Sequence, residues 1–204
     1  AAWRLVHSMG EEPTVAVIKH ANPCGVSSHH DITEAYIRAN ACDPVSAFGG
    51  IVAVNKEVSG SMADELAKVF TEVVVAPSFT QEAISKLTEK KNIRIIEAHP
   101  PGFPLLDMRS LDGGLLVQTC DRLQLDHSQW TIATDREPTE SEWIDLDFAW
   151  RVAAKVSSNC IVLAKDKQAL GIGAGQQNRR DAGVIAAEKA NGRAKGGVCA
   201  SDPF

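Results

Sequence analysis

The first feature of this sequence that could do chemistry is an apolar run ending in a lysine and a histidine. Residues 16–26 read AVIKHANPCGV, so Lys19 and His20 stand side by side where a strand meets a turn. A histidine can take a proton near neutral pH, and a lysine can stabilise a developing negative charge. Adjacent strand residues point to opposite faces, so both can face one pocket only if a turn begins at His20; Pro23 and Gly25 are predicted to form that turn. The alternative is a solvated strand end followed by a hydrogen-bonded turn histidine.

The same stretch shares two residues with a zinc site but lacks two others. His20 and Cys24 lie four apart, and zinc-dependent deaminases combine a histidine and a glutamate with a Pro-Cys-x-x-Cys motif. Here Asn22 stands at the glutamate position and Ser27 at the second cysteine position. We therefore expect no catalytic metal.

Two glycine-containing stretches are further candidates for contact with a ligand. Residues 43–50 read DPVSAFGG, and glycines before an apolar strand suit close approach of a ligand or a second chain. Residues 171–180 read GIGAGQQNRR, where backbone N–H groups and Arg179 at a helix start suit a phosphate or carboxylate. Gln176 breaks the dinucleotide-binding spacing. The alternatives are plain turns, with Arg179 paired on the surface with Asp181 or Glu188.

The composition is that of a soluble protein without affinity for nucleic acid or membrane. The 204 residues are 44% hydrophobic and 23% charged, with a formal net charge of −5. No run approaches the roughly 18 apolar residues of a membrane-spanning helix. Five scattered cysteines without a Cys-x-x-Cys pair indicate free thiols and a cytoplasmic location. Both ends look cut, so we expect a piece of a longer chain.

Strands and helices alternate along the chain, which predicts an α/β fold whose sheet is parallel at least in part. Strands are predicted at 15–19, 50–55, 72–76, 93–97, 114–119, 131–134, 160–164, 169–172 and 197–201. Helices are predicted at 31–41, 61–70, 80–91 and 179–190, and after a capping box at 138–142, where a stripe of Trp143, Leu146, Trp150 and Ala153 predicts the buried face. Residues 98–112 are predicted to be an irregular connection. The stretch GGIVAVN at 49–55 resembles GGVCASD at 196–202, through either duplication or chance.

Four motifs together carry a resemblance to a known family. In order they are IKHANPCG, DPVSAFGGIVAVN, SEWIDLDFAWRVAAKVSSN and GIGAGQQNR. They resemble the AICAR transformylase domain of the bifunctional purine biosynthesis protein, from about residue 2 to residue 204. The resemblance implies two related cytidine-deaminase-like subdomains, each a mixed sheet with flanking helices. It places the first subdomain at 1–100, a connecting region at 101–138 and the start of the second at 139–204, without the N-terminal IMP cyclohydrolase domain.

The resemblance also implies an activity. Members of the family transfer the formyl group of 10-formyltetrahydrofolate to the 5-amino group of AICAR, and they act as homodimers with active sites at the subunit interface. His20 would accept a proton from the attacking amine, Lys19 would stabilise the oxyanion, and Asn159 would orient the reacting groups. The substrate- and cofactor-binding positions implied are Asn22, Asp43, Ser46, Phe48, Gly49, Gly175, Gln176, Arg179 and Asp202. A structural potassium ion is expected near Val156, Asn159 and Asp202.

The sequence departs from the family pattern at some positions. Helix residues Lys155 and Ser157 stand where relatives often carry His and Lys, and Asn178 replaces the usual Ser. Two other interpretations of the function therefore stay open. One is a non-catalytic piece that only folds or dimerises, and the other is a relative of the nucleotide deaminases.

Overall fold

The computed structural model describes residues 1–102, 104–123 and 125–202, and these residues include ten strands and seven α-helices. The strands are β1 (Thr14–Lys19), β2 (Asn22–Ser28), β3 (Gly50–Val54), β4 (Thr71–Ala76), β5 (Arg94–Glu97), β6 (Leu106–Leu111), β7 (Gly114–Thr119), β8 (Ile161–Lys165), β9 (Gln168–Gly173) and β10 (Val198–Ser201). The helices are α1 (Ala2–Ser8), α2 (Ile32–Asn40), α3 (Pro44–Ala47), α4 (Gly60–Ala67), α5 (Gln81–Thr88), α6 (Glu140–Ala153) and α7 (Arg179–Ala190). The predicted α/β class is confirmed.

Eight of these strands form one mixed sheet in the order β10-β8-β9-β2-β1-β3-β4-β5. Strands β3, β4 and β5 are parallel to one another, and the other neighbouring pairs are antiparallel. The prediction of a partly parallel sheet is therefore confirmed. Strands from both halves of the chain meet where β2 pairs with β9 and Ser27 lies opposite Gln168.

The sheet repeats one unit on either side of the β2–β9 pair. In the first unit the β1–β2 hairpin is followed by α2, and β3 returns to pair with β1. In the second the β8–β9 hairpin is followed by α7, and β10 returns to pair with β8. In both hairpins the turn consists of two residues with positive φ. These are His20 (50°) and Ala21 (66°) in the first unit, and Asp166 (51°) and Lys167 (53°) in the second. The echo between residues 49–55 and 196–202 thus marks equivalent strands, and duplication accounts for it.

Helices cover both faces of the sheet, and strand β1 contributes to both cores. Ala16 and Ile18 pack on the side of α1 and α6, whereas Val15 and Val17 pack on the side of α2, α4 and α5. Alternate residues of a strand point to opposite faces, so a strand buried on both sides needs apolar residues throughout. This explains why the run before Lys19 is continuous rather than alternating.

The turn after Lys19 begins at His20 as predicted, but Pro23 and Gly25 do not form it. His20 and Ala21 form it, while Pro23 and Gly25 belong to strand β2. Pro23 lacks an N–H group, but the β1–β2 register shifts beside it, and a proline can occupy such an irregularity. The prediction of a turn at the Asn-Pro-Cys-Gly motif was therefore wrong.

Two further predictions along the connecting region were wrong. Residues 98–112 include strand β6, which pairs with β7 across an Asp112-Gly113 turn with Gly113 at φ +77°. Asp-Gly is a strong hairpin signal that the prolines nearby obscured. Residues 131–134 form no strand, and this exposed four-residue stretch has no strand partner.

The buried face of α6 also differs from the predicted stripe. Ala153 of that stripe is buried as predicted, together with Phe148, Ala149 and Val152. Trp143, Leu146 and Trp150 are only half-buried, and the two tryptophans pack around Trp130. The reason is a polar residue. Asp145 is buried because its carboxylate accepts hydrogen bonds from the N–H groups of the β8–β9 turn, at 2.8 and 2.9 Å.

Two of the glycines predicted to approach an anion serve helix packing instead. A Cβ atom on Gly171 would lie 2.0 Å from the carbonyl oxygen of Ala186 in α7, and one on Gly173 would lie 1.9 Å from that of Ala182. Gly25 of the first unit has the same relation to α2, at 1.9 Å from the carbonyl oxygen of Ala39. Glycine is thus required where each helix touches its strand.

We expect Gly171→Ala to lower the free energy of unfolding by about 1–3 kcal/mol or more, because the added methyl group overpacks the contact between β9 and α7. Gly183→Ala is the matched control, since a Cβ atom there meets nothing within 4 Å. That control should stabilise helix α7 by roughly 0.5–1 kcal/mol. Urea unfolding of both variants measures the difference, and equal stability would contradict the close packing.

Candidate active site

Lys19 and His20 line one cavity of about 280 Å³ at an end of the sheet. The other lining residues are Asn22, Pro23, Cys24, Ser46, Ile172, Ala174 and Lys189. The positive φ of His20 ends the strand alternation, so two consecutive residues face the same space. Burial raises the pKa of the Cys24 thiol, which favours a neutral rather than a nucleophilic group there.

The segment 43–50 orients Lys19. Phe48 follows the last residue of α3 as its C-cap, and its carbonyl oxygen accepts a hydrogen bond from Lys19 Nζ at 2.7 Å. The Phe48 ring lies against Phe70 with centroids 5.3 Å apart, and Gly49 has a φ of +71°. Asp43 caps α3 by accepting the Ser46 N–H at 3.0 Å. The short helix therefore holds the Lys19 ammonium group beside the cavity.

Lys189 is a cavity residue that the sequence did not reveal. It lies at the end of α7, and its Nζ is 2.9 Å from Oδ2 of Asp43, an oxygen that has no other partner among the described residues. Burial acts to raise the pKa of Asp43, but hydrogen bonds from Ser46 and the ion pair with Lys189 outweigh burial and lower it. The ionised Asp43 thus ties α7 to α3. No local motif marks Lys189, because only the fold brings it to Asp43.

Asn159 belongs to a second group of residues next to this cavity. Its N–H and its side-chain amide donate to the carbonyl oxygen of Gln176 at 3.1 and 3.0 Å, and Gly175 N–H donates to Ser157 O at 2.8 Å. Ser157 N–H in turn donates to Oδ1 of Asn22 at 2.9 Å. The hydrogen bond to Asn22 connects the loop that carries Asn159 to the strand that follows His20. The peptide bond between Ser158 and Asn159 is cis.

Arg179 takes part in an internal ion pair. Helix α7 begins at Arg179 as predicted, with Asn178 as the N-cap. Arg179 Nη1 donates to Asp202 Oδ1 and to Ser201 Oγ, both at 2.6 Å, and its side chain is 19% exposed. Among the described acidic residues, Arg179 therefore pairs with Asp202 rather than with Asp181 or Glu188.

Asp202 collects several donors. It accepts hydrogen bonds from Ser158 Oγ, from Cys160 N–H at 2.7 Å and from Arg179. Burial acts to raise the pKa of Asp202, but these hydrogen bonds and the charge of Arg179 outweigh burial and hold the pKa far below its usual value. Asp202 is thus ionised at neutral pH.

Lys155 and Ser157 lie beyond the end of α6 at Ala153, so the prediction that they are helix residues was wrong. Val156 is 9% exposed at the same helix end. The potassium ion expected near Val156, Asn159 and Asp202 stays a prediction.

These contacts define a class of site. A cationic and a proton-accepting side chain share a cavity at the end of a mixed sheet, and Ile172, Ala174 and Lys189 of the second unit line the same cavity, whereas Asn159, Arg179 and Asp202 are not among its lining residues. Within the described residues, no group of three or more His, Cys, Asp or Glu side chains is arranged to hold a metal ion. The arrangement is suited to acid–base group transfer.

Comparison with known proteins identifies the family. The sequence model of the AICARFT/IMPCHase bienzyme family matches residues 1–189, and the chain belongs to this family. It is 49% identical over 195 residues to the bifunctional purine biosynthesis protein PurH of Bacillus cereus strain ATCC 14579. It is 48% identical over the same length to the proteins of that name from Bacillus cereus strain AH187 and Bacillus thuringiensis strain Al Hakam. These alignments cover 95% of this chain and 38% of each relative.

Across the described residues, none of the helices has the length and apolar character needed to cross a membrane.

Replacing Arg179 by methionine would leave the Asp202 carboxylate without its charge partner. We expect Arg179→Met to lower the free energy of unfolding by roughly 2–4 kcal/mol at pH 7, since breaking a largely buried ion pair leaves an uncompensated charge. Arg180→Met removes the adjacent exposed arginine and is the matched control, with an expected cost below about 0.5 kcal/mol. Chemical denaturation measures both, and equal stability of the two variants would contradict this role of Arg179.

The difference in stability between Arg179→Met and Arg180→Met should depend on pH, because the ionisation of the Asp202 carboxylate depends on pH. Its folded pKa is below the unfolded value of about 3.9, so the stabilisation is present above that value and is lost as the pH falls through the folded pKa. The difference in free energy of unfolding between Arg179→Met and Arg180→Met should therefore be constant above about pH 5 and become smaller at lower pH.

Proposed function

We propose that this chain carries the formyl-transfer site of purine biosynthesis, which moves a formyl group from 10-formyltetrahydrofolate to the 5-amino group of AICAR. The observation that carries the proposal is the shared cavity of Lys19 and His20, with the Lys19 ammonium group held 2.7 Å from Phe48 O. Membership of the AICARFT/IMPCHase bienzyme family supports it. The chain spans 38% of the length of the relatives it matches, so the activity is assigned within the longer protein.

Lys19 and His20 would have different roles in the transfer. The amine nitrogen of AICAR forms a bond to the formyl carbon, and His20 accepts the proton that this nitrogen loses. Lys19 stabilises the negative charge that develops on the formyl oxygen. The bond from the formyl carbon to the folate nitrogen then breaks, and that nitrogen takes up a proton as tetrahydrofolate leaves. Both groups are needed because the amine lone pair is delocalised into the ring and carboxamide, which makes the amine a poor nucleophile.

Residues of the second unit would position the reactants. Asn159 would orient the reacting groups, and its loop is held in place by hydrogen bonds to Gln176 and from Ser157 to Asn22. Ser46 and Asn22 line the cavity itself. The ion pair with Asp202 fixes the Arg179 guanidinium group at the start of α7, where a substrate phosphate or carboxylate would be favoured.

We further propose that the protein acts as a homodimer. One face of the β6–β7 hairpin is apolar and solvent-exposed, with Leu106, Met108, Leu115 and Val117 between 47% and 65% exposed. A second copy of the chain would remove this face from water. Sedimentation of the intact protein at micromolar concentration should show a dimer that Met108→Lys weakens. A fully active monomer would contradict the proposal.

We expect His20→Ala to slow formyl transfer by about 10²–10⁴-fold, the usual effect of losing a general base. His30→Ala removes an exposed histidine at the far end of β2 and should leave the rate unchanged. Formyl transfer is measured with the intact protein, with circular dichroism to verify folding. A folded His20→Ala protein with near-normal turnover would overturn the assignment.

A further inference from the structure

A second cavity, of about 630 Å³, lies between α1, the end of α6 and the β6–β7 hairpin. It shares no lining residue with the cavity of Lys19 and His20. Its described lining residues include five cationic side chains, Arg4, Arg109, Arg122, Arg151 and Lys155, beside the imidazole of His7. The acidic residues on the same wall are Asp107 and Asp121. Positive charge is therefore concentrated here, although the chain as a whole has a net charge of −5.

Two of these cations have no partner in the described part of the chain. The Arg4 guanidinium and Lys155 ammonium groups make no hydrogen bond or ion pair within the described residues. Arg109 Nε lies 4.0 Å from the Asp107 carboxylate, at the limit of an ion pair. Like charges that line one cavity repel. An anion in the cavity would relieve it.

Part of the wall is fixed in place. Arg151 Nη1 donates to the carbonyl oxygen of Ser8 at 2.7 Å, which ties the end of α6 to the end of α1. His7 packs edge-on against Trp3 with ring centroids 4.3 Å apart. His7 Nε2 is buried without a hydrogen-bond partner among the described residues. Burial lowers the pKa of His7, so this side chain contributes a neutral imidazole rather than a positive charge to the wall.

We propose that this cavity binds a small anion with two or more negative charges, of phosphate or carboxylate chemistry. Arginine presents a planar set of donors that matches either group, and the adjacent lysine adds a point charge. A volume of about 630 Å³ is within the usual range for small-molecule sites. The proposal rests on this cavity alone and is independent of the formyl-transfer function.

The test is titration calorimetry on the intact protein at constant ionic strength, with inorganic pyrophosphate and citrate as the two probes. We expect saturable binding of one or both. Lys155→Met and Arg4→Gln should each weaken the binding about tenfold, as expected for loss of one charge-assisted contact. The matched controls Lys195→Met and Arg94→Gln, exposed cations elsewhere, should leave it unchanged. Tighter binding of pyrophosphate would indicate a phosphate ligand, and tighter binding of citrate a polycarboxylate.

Lys19→Met separates this site from the proposed active site. If the second cavity is the binding site, Lys19→Met keeps the affinity even where formyl transfer is lost. Absence of saturable binding, equal loss in the cavity and control variants, or loss in Lys19→Met alone would each overturn the proposal. Because two independent cavity variants are compared, a folding defect in one of them does not prevent the test.

Discussion

The antiparallel pairing of β2 with β9 is the constraint on which the rest of the structure depends. It joins the two units into one sheet, with Ser27 opposite Gln168 and Ser28 N–H donating to Lys167 O at 2.9 Å. Antiparallel strands place the start of one beside the end of the other. The pairing therefore brings the turn at His20 next to the loop after β9. The bond from Ser157 to Asn22 extends the junction to the loop that carries Asn159. A site with residues from both halves of the chain follows directly from the pairing.

The duplicated hairpin turns show how one geometry can serve two purposes. The turn at Asp166 and Lys167 is held by the buried Asp145 carboxylate and so has a structural role. The equivalent turn carries His20 and borders the cavity. Positive φ costs an ordinary residue roughly 1–2 kcal/mol, and a hairpin of this kind usually carries Asn-Gly. A histidine at such a position therefore carries a local cost, as Lys167 does in the equivalent turn.

Much of the fold could be predicted from the sequence, because hydrophobic runs and helix caps are local signals. The run ending at Lys19 and the start of α7 at Arg179 both follow from such signals. What could not be predicted depends on partners distant in the chain. Pro23 lies in a strand only because β1 shifts its register, and Asp145 is buried only because a turn twenty residues later donates to it. The ion pairs of Lys189 with Asp43 and of Arg179 with Asp202 likewise exist only once the sheet has formed.

The central claim is that side chains from the two units act on the same reacting atoms. A double-mutant cycle of His20→Ala and Asn159→Ala tests it most directly, with single-turnover formyl transfer by the intact protein as the measurement. Residues that act in one chemical step are strongly non-additive, so the double variant should lose far less activity than the product of the two single losses. If the loss of activity in the double variant equals the product of the two single losses, the two residues act independently. That result would contradict a shared site.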